Sequence, residues 1–183
     1  GRINVEKMNF PDMVGEGKGI ESAMKSLRDL GLDGVVDLVD EYNLLPETDT
    51  SDGIYDSVDG KTVVGFKGST LKDNSRYGAH VIRHEFAHVV DEADKGGVYS
   101  SQPEMATTVK NGKVRPFGTV AREVFGLYET DPEWNAYMSY PFERTSYSSE
   151  RMQAEMFAQL WSLYTDPNLR QELMSKAPIA SAY

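Results

Sequence analysis

Three residues in one five-residue stretch, His84, Glu85 and His88, have the types and spacing that metal-assisted hydrolysis uses. Residues four apart lie one above the other on a helix, so the two histidines direct their imidazoles at one point beside it. Such a pair supplies half of a tetrahedral zinc site. The carboxylate of Glu85 can then serve as general base toward a water held on the metal. The pattern therefore predicts chemistry as well as metal binding.

The motif lies in a predicted helix with one face for a site and one for a core. Residues 73–75, Asp-Asn-Ser, offer oxygens that can cap the first turn, and Gly96-Gly97 supplies a left-handed stop. On a helical wheel, the ligand side around His84 consists of Tyr77, His80, Val81, His88 and Asp91. The opposite side is apolar and consists of Ala79, Ile82, Phe86, Val89, Val90 and Ala93.

A catalytic zinc ion needs three protein ligands and one open position, so a third ligand must exist outside the motif. The chain has no cysteine and only three histidines. The third histidine, His80, lies one turn before His84, and roughly 11 Å of helical rise separates it from His88. Because His80 cannot join the pair without displacing His88, we expect the third ligand to be an aspartate or a glutamate.

Three carboxylates are candidates for this third ligand. Glu155 is favoured, because it lies on a predicted helix whose other face is apolar, and such a helix holds a ligand rigidly. Glu150 is a rival, although its place in the first turn of that helix is also explained by the helix dipole. Asp94 would follow the motif closely, but a glycine turn would be needed at position 91, where the chain has Asp91.

The motif residues 84–91, His-Glu-Phe-Ala-His-Val-Val-Asp, are followed by Thr145-Ser-Tyr147 and by Ala154-Glu-Met-Phe-Ala-Gln-Leu-Trp161. This succession resembles the zinc-peptidase domain of anthrax toxin lethal factor and its relatives, which include secreted bacterial Pro-Pro endopeptidases. The resemblance covers residues 54–165 and is strongest at these motifs. It implies a gluzincin-like zinc peptidase that is secreted or delivered as a bacterial toxin or effector.

The resemblance also implies roles for individual residues. In that family the two motif histidines and a glutamate opening a Glu-x-Phe-Ala helix bind zinc, which corresponds to His84, His88 and Glu155. The motif glutamate is the general base, which corresponds to Glu85. A tyrosine before the last helix assists catalysis, which corresponds to Tyr147. The implied cofactor is a single zinc ion.

Two further side chains are candidates for supporting roles. Tyr140 could replace Tyr147 as the donor to the developing oxyanion, and the interval from Tyr147 to Glu155 is one residue longer than in lethal factor. Asp91 lies one turn beyond His88 and could accept the free imidazole N–H of a ligand histidine. The alternative for Asp91 is a solvated acid at the end of a helix.

The remaining pattern predicts an α+β, zincin-like fold, mostly helical, with a small mixed sheet or hairpin beside the zinc helix. The pattern predicts a hairpin whose strands are Ile54–Val58 and Lys61–Phe66, joined by Asp59-Gly60. This hairpin could present an edge to an extended peptide or could only cover the core. Helices are predicted over residues 18–30, from Val35 to about Leu45, over 119–128, from Asp131-Pro132 to about Tyr140, and from Ser148 or Ser149 to Tyr164.

The composition limits the partners. Lys and Arg number 19 against 29 Asp and Glu, and the resulting net charge of −10 disfavours nucleic acid and membrane surfaces. The sequence contains neither a signal peptide nor an apolar run of membrane-spanning length. We expect one domain over residues 1–183, with a helical N-terminal part (1–53) and a catalytic core (54–183). The absence of an initiator Met indicates excision or processing from a longer chain.

These observations predict a zinc endopeptidase that acts on a peptide or protein substrate. A second hypothesis is a non-catalytic module in which zinc only stabilises a binding surface. A structural site has no use for a base such as Glu85, which separates the two hypotheses. A third hypothesis keeps the zinc hydrolase but assigns it a non-protein amide such as a cell-wall crosslink.

Overall fold

The computed structural model describes residues 5–92, 97–144 and 146–183. The fold is mixed, 57% helical with small sheets, so helices make up most of it, in agreement with the predicted α+β class. The chain divides into two compact units, Gly1–Ala93 and Asp94–Tyr183. The single domain over residues 1–183 that the sequence indicates stays a prediction.

In its described residues, the first unit combines four strands with four α-helices. Its strands are β1 (Glu6–Met8), β2 (Glu41–Leu45), β3 (Gly53–Val58) and β4 (Lys61–Lys67). Its helices are α1 (Phe10–Val14), α2 (Lys18–Asp29), α3 (Gly68–Lys72) and α4 (Arg76–Glu92), with a 3-10 helix at Asp33–Leu38. The strands form a sheet in the order β1-β2-β4-β3, in which β2 and β4 run parallel and the other two pairs are antiparallel. The strand β3 is therefore at an edge.

The predicted hairpin is confirmed as β3 and β4. Its turn residues Asp59 and Gly60 have φ values of 51° and 77°, which is the left-handed pair that a two-residue turn of this kind requires. The pairing places Tyr55 opposite Val64 and Asp56 opposite Val63. The hairpin thus fixes the register of the edge strand before the chain reaches α4.

The helix predicted from Val35 to Leu45 is wrong. Only Asp33–Leu38 is helical, as a 3-10 helix, and the chain then becomes the strand β2. Tyr42 and Leu45 are buried in the sheet, where Tyr42 pairs with Val64. The apolar spacing suited either structure, and pairing with a strand distant in sequence decided between them. The N-terminal part (1–53) consequently contains strands as well as helices.

The motif helix α4 begins where the sequence predicted. Its first turn is capped by Ser75, whose hydroxyl accepts the Tyr77 N–H at 3.3 Å. Its core side buries Ile82, Phe86 and Val89 completely. The predicted stop residue Gly97 has a φ of 77°, while Gly96 lies outside the described residues.

Over residues 97–144 and 146–183, the second unit contains a small hairpin and five α-helices. The hairpin pairs β5 (Thr107–Lys110) with β6 (Lys113–Pro116). The helices are α5 (Thr119–Thr130), α6 (Pro132–Phe142), α7 (Ser149–Thr165), α8 (Arg170–Lys176) and α9 (Pro178–Ala182), and a 3-10 turn spans Pro103–Met105. The cap of α7 is Ser148, whose hydroxyl accepts the Arg151 N–H at 3.1 Å. None of the helices in the described ranges has the length and apolar character needed to cross a membrane.

Candidate metal centre

The three motif residues lie mid-helix in α4 and are buried. His84, Glu85 and His88 expose 7%, 9% and 6% of their surfaces, although glutamate is rarely buried unless it is paired. The rings of His84 and His88 lie 4.9 Å apart between centroids and meet at 80°. The four-residue spacing therefore brings the two imidazoles together on one side of the helix, as the sequence predicted.

The favoured third ligand, Glu155, lies in the middle of α7 and is 6% exposed. On the helical wheel Glu155 lies opposite the apolar face of α7, together with Arg151, Gln159 and Ser162. Gln159 and Ser162 are also buried, whereas Arg151 in the first turn is exposed. The reading of Glu155 as an ordinary solvated glutamate is therefore wrong. A carboxylate in such a place requires a hydrogen-bonding, cationic or metal partner.

His84, His88 and Glu155 form a buried group that could hold a metal ion. Each residue offers one ligand atom, an imidazole nitrogen or a carboxylate oxygen, and these atoms all lie within 4.8 Å of one another. The donor set of two nitrogens and one oxygen is one that zinc accepts in catalytic sites, where the fourth position stays open. The residues present thus fit a divalent metal ion.

The other candidate residues differ from Glu155 in their exposure to solvent. Glu150 is exposed in the first turn of α7, in keeping with the dipole explanation, whereas Asp94 lies outside the described residues. His80 is half-buried, and its ring is 6.4 Å from that of His84. Asp91 is completely buried, which excludes the solvated helix-end interpretation and leaves a supporting role for it.

The two candidate tyrosines, Tyr140 and Tyr147, lie side by side. Their hydroxyl oxygens are 3.4 Å apart, within weak hydrogen-bond distance. The Arg144 guanidinium lies 4.8 Å from the centre of the Tyr140 ring, and the Arg151 guanidinium lies 4.6 Å from that of Tyr147. The cations restrain both rings by cation–π attraction. The two hydroxyls therefore belong to one small cluster of tyrosine and arginine side chains.

Sequence reasoning missed two residues of β3 that pack against the motif. The Tyr55 ring lies 5.7 Å from the His88 ring and is tilted by 31°. Burial, followed by a hydrogen bond with Glu92, raises the pKa of Tyr55. The backbone of Gly53 lies against the side chain of Glu85. The only available signal was the alternation of side chains along a strand, which does not say what the strand contacts.

A residue on the ligand side of α4, Tyr77, is tied to the loop before β3. Its hydroxyl donates to an Asp52 carboxylate oxygen at 2.6 Å, and Lys67 pairs with the other oxygen at 3.3 Å. The bond to Asp52, with burial second, raises the pKa of Tyr77 to about 12. The same bond lowers the pKa of Asp52. The first turn of α4 is thus linked to the loop between β2 and β3.

Comparison with known proteins gave no match to a family model, a curated protein or a solved structure. The resemblance to lethal factor and its relatives therefore continues to depend on the short motifs alone.

Proposed function

We propose that this protein is a zinc-dependent endopeptidase with a zincin-like fold. The observation that carries the proposal is the buried group of His84, His88 and Glu155, with Glu85 adjacent to His84 on the same helix. A metal site that only stabilises a fold is usually closed by four protein ligands. Among the described residues, three candidate ligands and a neighbouring carboxylate match the arrangement that hydrolysis needs.

His84 and His88, with Glu155, would hold the metal. Bound zinc would polarise the scissile carbonyl and lower the pKa of a nearby water. Glu85 takes a proton from the attacking water as the water oxygen bonds to the carbonyl carbon. When the carbon–nitrogen bond breaks, Glu85 passes that proton to the leaving amine.

Two further side chains support the reaction: one stabilises the developing negative charge, and the other orients a ligand imidazole. Tyr147, or Tyr140 in its place, donates a hydrogen bond to the oxygen on which negative charge develops. Asp91, completely buried one turn after His88, orients the ligand imidazole by accepting its free N–H. Both roles need side chains with restricted motion, and the burial of Asp91 and the cation–π contacts of Tyr147 support this.

An extended peptide fits the open edge of β3. Within the described residues, β4 is the one strand that pairs with β3, so the other edge of β3 is open to pairing with an extended peptide. A peptide that adds to this edge would use main-chain hydrogen bonds and would pass the side of α4 that carries Glu85. The net charge of −10 argues against nucleic acid as an alternative ligand.

The motif resemblance supports the same reaction. It also supports a bacterial protein that is secreted or delivered as a toxin or effector, in the way of the lethal factor relatives.

The experiment is cleavage of an unstructured protein such as β-casein, with the zinc content of the purified protein measured in parallel. We expect one zinc ion per chain, fragments that accumulate with time, loss of cleavage after chelation, and recovery on adding zinc. Cleavage that persists without metal would contradict the proposal. Bound zinc with no cleavage of any peptide in a library would favour a stabilising module or an amidase for non-protein substrates.

A further inference from the structure

The edge strand β3 meets α4 at two alternate positions. Side chains at positions 53 and 55 point to the same face of the strand. Gly53 meets Glu85, and Tyr55 meets His88. The two contacts thus involve the general base and one metal ligand of the proposed reaction.

At position 53 the chain leaves no room for a side chain. A Cβ atom there would lie 2.9 Å from Val81 Cγ1, 3.0 Å from Phe66 Cδ1 and 3.1 Å from Glu85 Cγ. These distances are shorter than ordinary van der Waals contact, so Val81 or Glu85 would have to move. Gly53 is not among the glycines with positive φ, and space rather than backbone conformation explains the glycine. The backbone of β3 at Gly53 therefore limits the position of the Glu85 side chain near its Cγ atom.

At position 55 an aromatic ring supports a metal ligand. The Tyr55 and His88 rings lie 5.7 Å apart at 31°, a distance typical of aromatic contact. The hydroxyl of Tyr55 bonds to Glu92, one turn further along α4. The Tyr55 ring thus packs on His88 while its hydroxyl is bound to Glu92, and in this position it limits rotation of the His88 imidazole.

The pairing with β4 fixes both contacts at once. Tyr55 lies opposite Val64 and Gly53 opposite Phe66, so the hairpin sets the register. A slip by one residue would turn positions 53 and 55 to the other face and would bring Ile54 toward α4. The correct register is therefore required for the clearance at Glu85 and for the support at His88.

We propose that β3 is a positioning strand for the site, in which Tyr55 orients His88 and Gly53 sets the position of Glu85. This inference rests on the proposed function, because effects on turnover are expected only if the site hydrolyses peptides. A supporting partner of a metal ligand typically changes metal affinity by about tenfold to a hundredfold. Misplacing a catalytic group by about 1 Å can cost on the order of a hundredfold in rate.

The first test compares Tyr55→Leu with Tyr55→Phe by the affinity and visible spectrum of bound cobalt, measured by competition with a chromophoric chelator. Tyr55→Leu should weaken cobalt binding by about tenfold to a hundredfold and alter the spectrum. Tyr55→Phe keeps the ring and should restore most of both. The matched control is Phe10→Leu, which removes a ring packed at 5.1 Å on Tyr42 in the same unit and should leave both unchanged. Wild-type affinity and spectrum in Tyr55→Leu would overturn the role of Tyr55.

The second test compares Gly53→Ala with Gly34→Ala. A Cβ atom at Gly34 meets nothing within 4 Å, and Gly34 has no positive φ, so it is a neutral control. Gly53→Ala should keep wild-type cobalt affinity and lose about tenfold to a hundredfold in kcat with little change in KM. A kcat equal to that of Gly34→Ala would overturn the role of Gly53. If Gly53→Ala does not fold, the Tyr55 variants decide the proposal.

The failure of this inference is distinguishable from failure of the proposed function. A wild-type protein that binds cobalt but hydrolyses no peptide would contradict the proposed function, and the Tyr55 variants would still report on His88. A wild-type protein that does hydrolyse peptides, with Tyr55→Leu and Gly53→Ala unchanged, would contradict only the role of β3.

Discussion

The helices α4 and α7 are both 17 residues long, and each buries a carboxylate, yet they are supported in different ways. On α4, the edge strand β3 packs directly against the reactive side chains. On α7, side chains of the helix bond to backbone elsewhere, as when Gln153 donates to the Ser100 carbonyl at 2.7 Å. In the proposed function, α4 sets the chemistry, whereas α7 supplies one ligand from a helix whose other residues build a core.

The largest effect is expected on α4, where His84→Ala removes a ligand from the motif. We expect loss of zinc and no detectable hydrolysis, since two ligands do not retain a catalytic metal ion. Metal analysis and the casein assay check this. The matched control is His80→Ala on the same helix, which should keep both properties. Full zinc occupancy and normal turnover in His84→Ala would contradict the proposal that α4 supplies metal ligands.

The next largest effect is expected on α7, where Glu155→Ala tests whether this helix contributes a ligand at all. Zinc affinity should fall at least tenfold, because a buried carboxylate donor is lost. Glu150→Ala, an exposed glutamate in the first turn of the same helix, should bind zinc as wild type does. A larger loss in Glu150→Ala than in Glu155→Ala, measured by competition titration, would reverse the assignment.

A third prediction concerns the tyrosines that precede α7. Tyr147→Phe should lower kcat by about a hundredfold to a thousandfold with unchanged zinc content, because one donor to the developing charge is removed. Tyr140→Phe should have a smaller effect, although its hydroxyl lies only 3.4 Å from that of Tyr147. Steady-state kinetics on one fluorogenic peptide separates them. The opposite ranking would assign the donor role to Tyr140.

A fourth prediction tests the hydrogen bonds that hold α7. Gln153 accepts the Thr107 N–H at 3.0 Å and donates to Ser100, so Gln153→Ala leaves two polar groups without this partner. The free energy of unfolding should fall by about 1–3 kcal/mol in urea denaturation. Gln171→Ala, at an exposed position in α8, should change it by less than about 0.5 kcal/mol. Equal losses would mean that packing alone holds α7.

The smallest effect is expected at the first turn of α4, from the Tyr77 and Asp52 pair. The lowered pKa of Asp52 gives stability that is present above about pH 4 and is lost as the pH falls through the folded-state pKa. The raised pKa of Tyr77 gives stability that is present below about pH 10 and is lost as the pH rises through about 12.

Tyr77→Phe removes this bond and should flatten the stability profile at both ends. Urea denaturation between pH 3 and about 5 provides the check at the acid end. An unchanged acid limb in Tyr77→Phe would show that the bond to Tyr77 does not govern Asp52. Asn74→Ala, an exposed position just before α4, is the control and should leave the profile unchanged.

The sequence predicted what depends on local spacing and failed where distant contacts decide. The placement of His84 and His88, the cap at Ser75 and the turn at Asp59-Gly60 follow from neighbours within a few residues, and all are confirmed. The strand Glu41–Leu45 was predicted as helix, because its pairing with β4 lies outside any local window.

The candidate site shows the same division. Glu155 could be named as a candidate from the helical wheel, but its burial depends on surroundings that the wheel does not contain. Gly53 and Tyr55 carry no motif, and their contacts with Glu85 and His88 exist only once β3 lies beside α4. Side-chain types and local spacing therefore identify the reactive groups of α4, while the residues that position those groups emerge only from the fold.

The central claim is that Glu85 performs chemistry at a metal site that it does not help to build. Its most direct test is the turnover of zinc-loaded Glu85→Gln, compared with wild type at equal, measured zinc content. Glu85→Gln keeps the size of the side chain and removes the base, so we predict one zinc ion per chain and turnover lower by at least about a hundredfold. Turnover equal to wild type at full zinc occupancy would contradict the account.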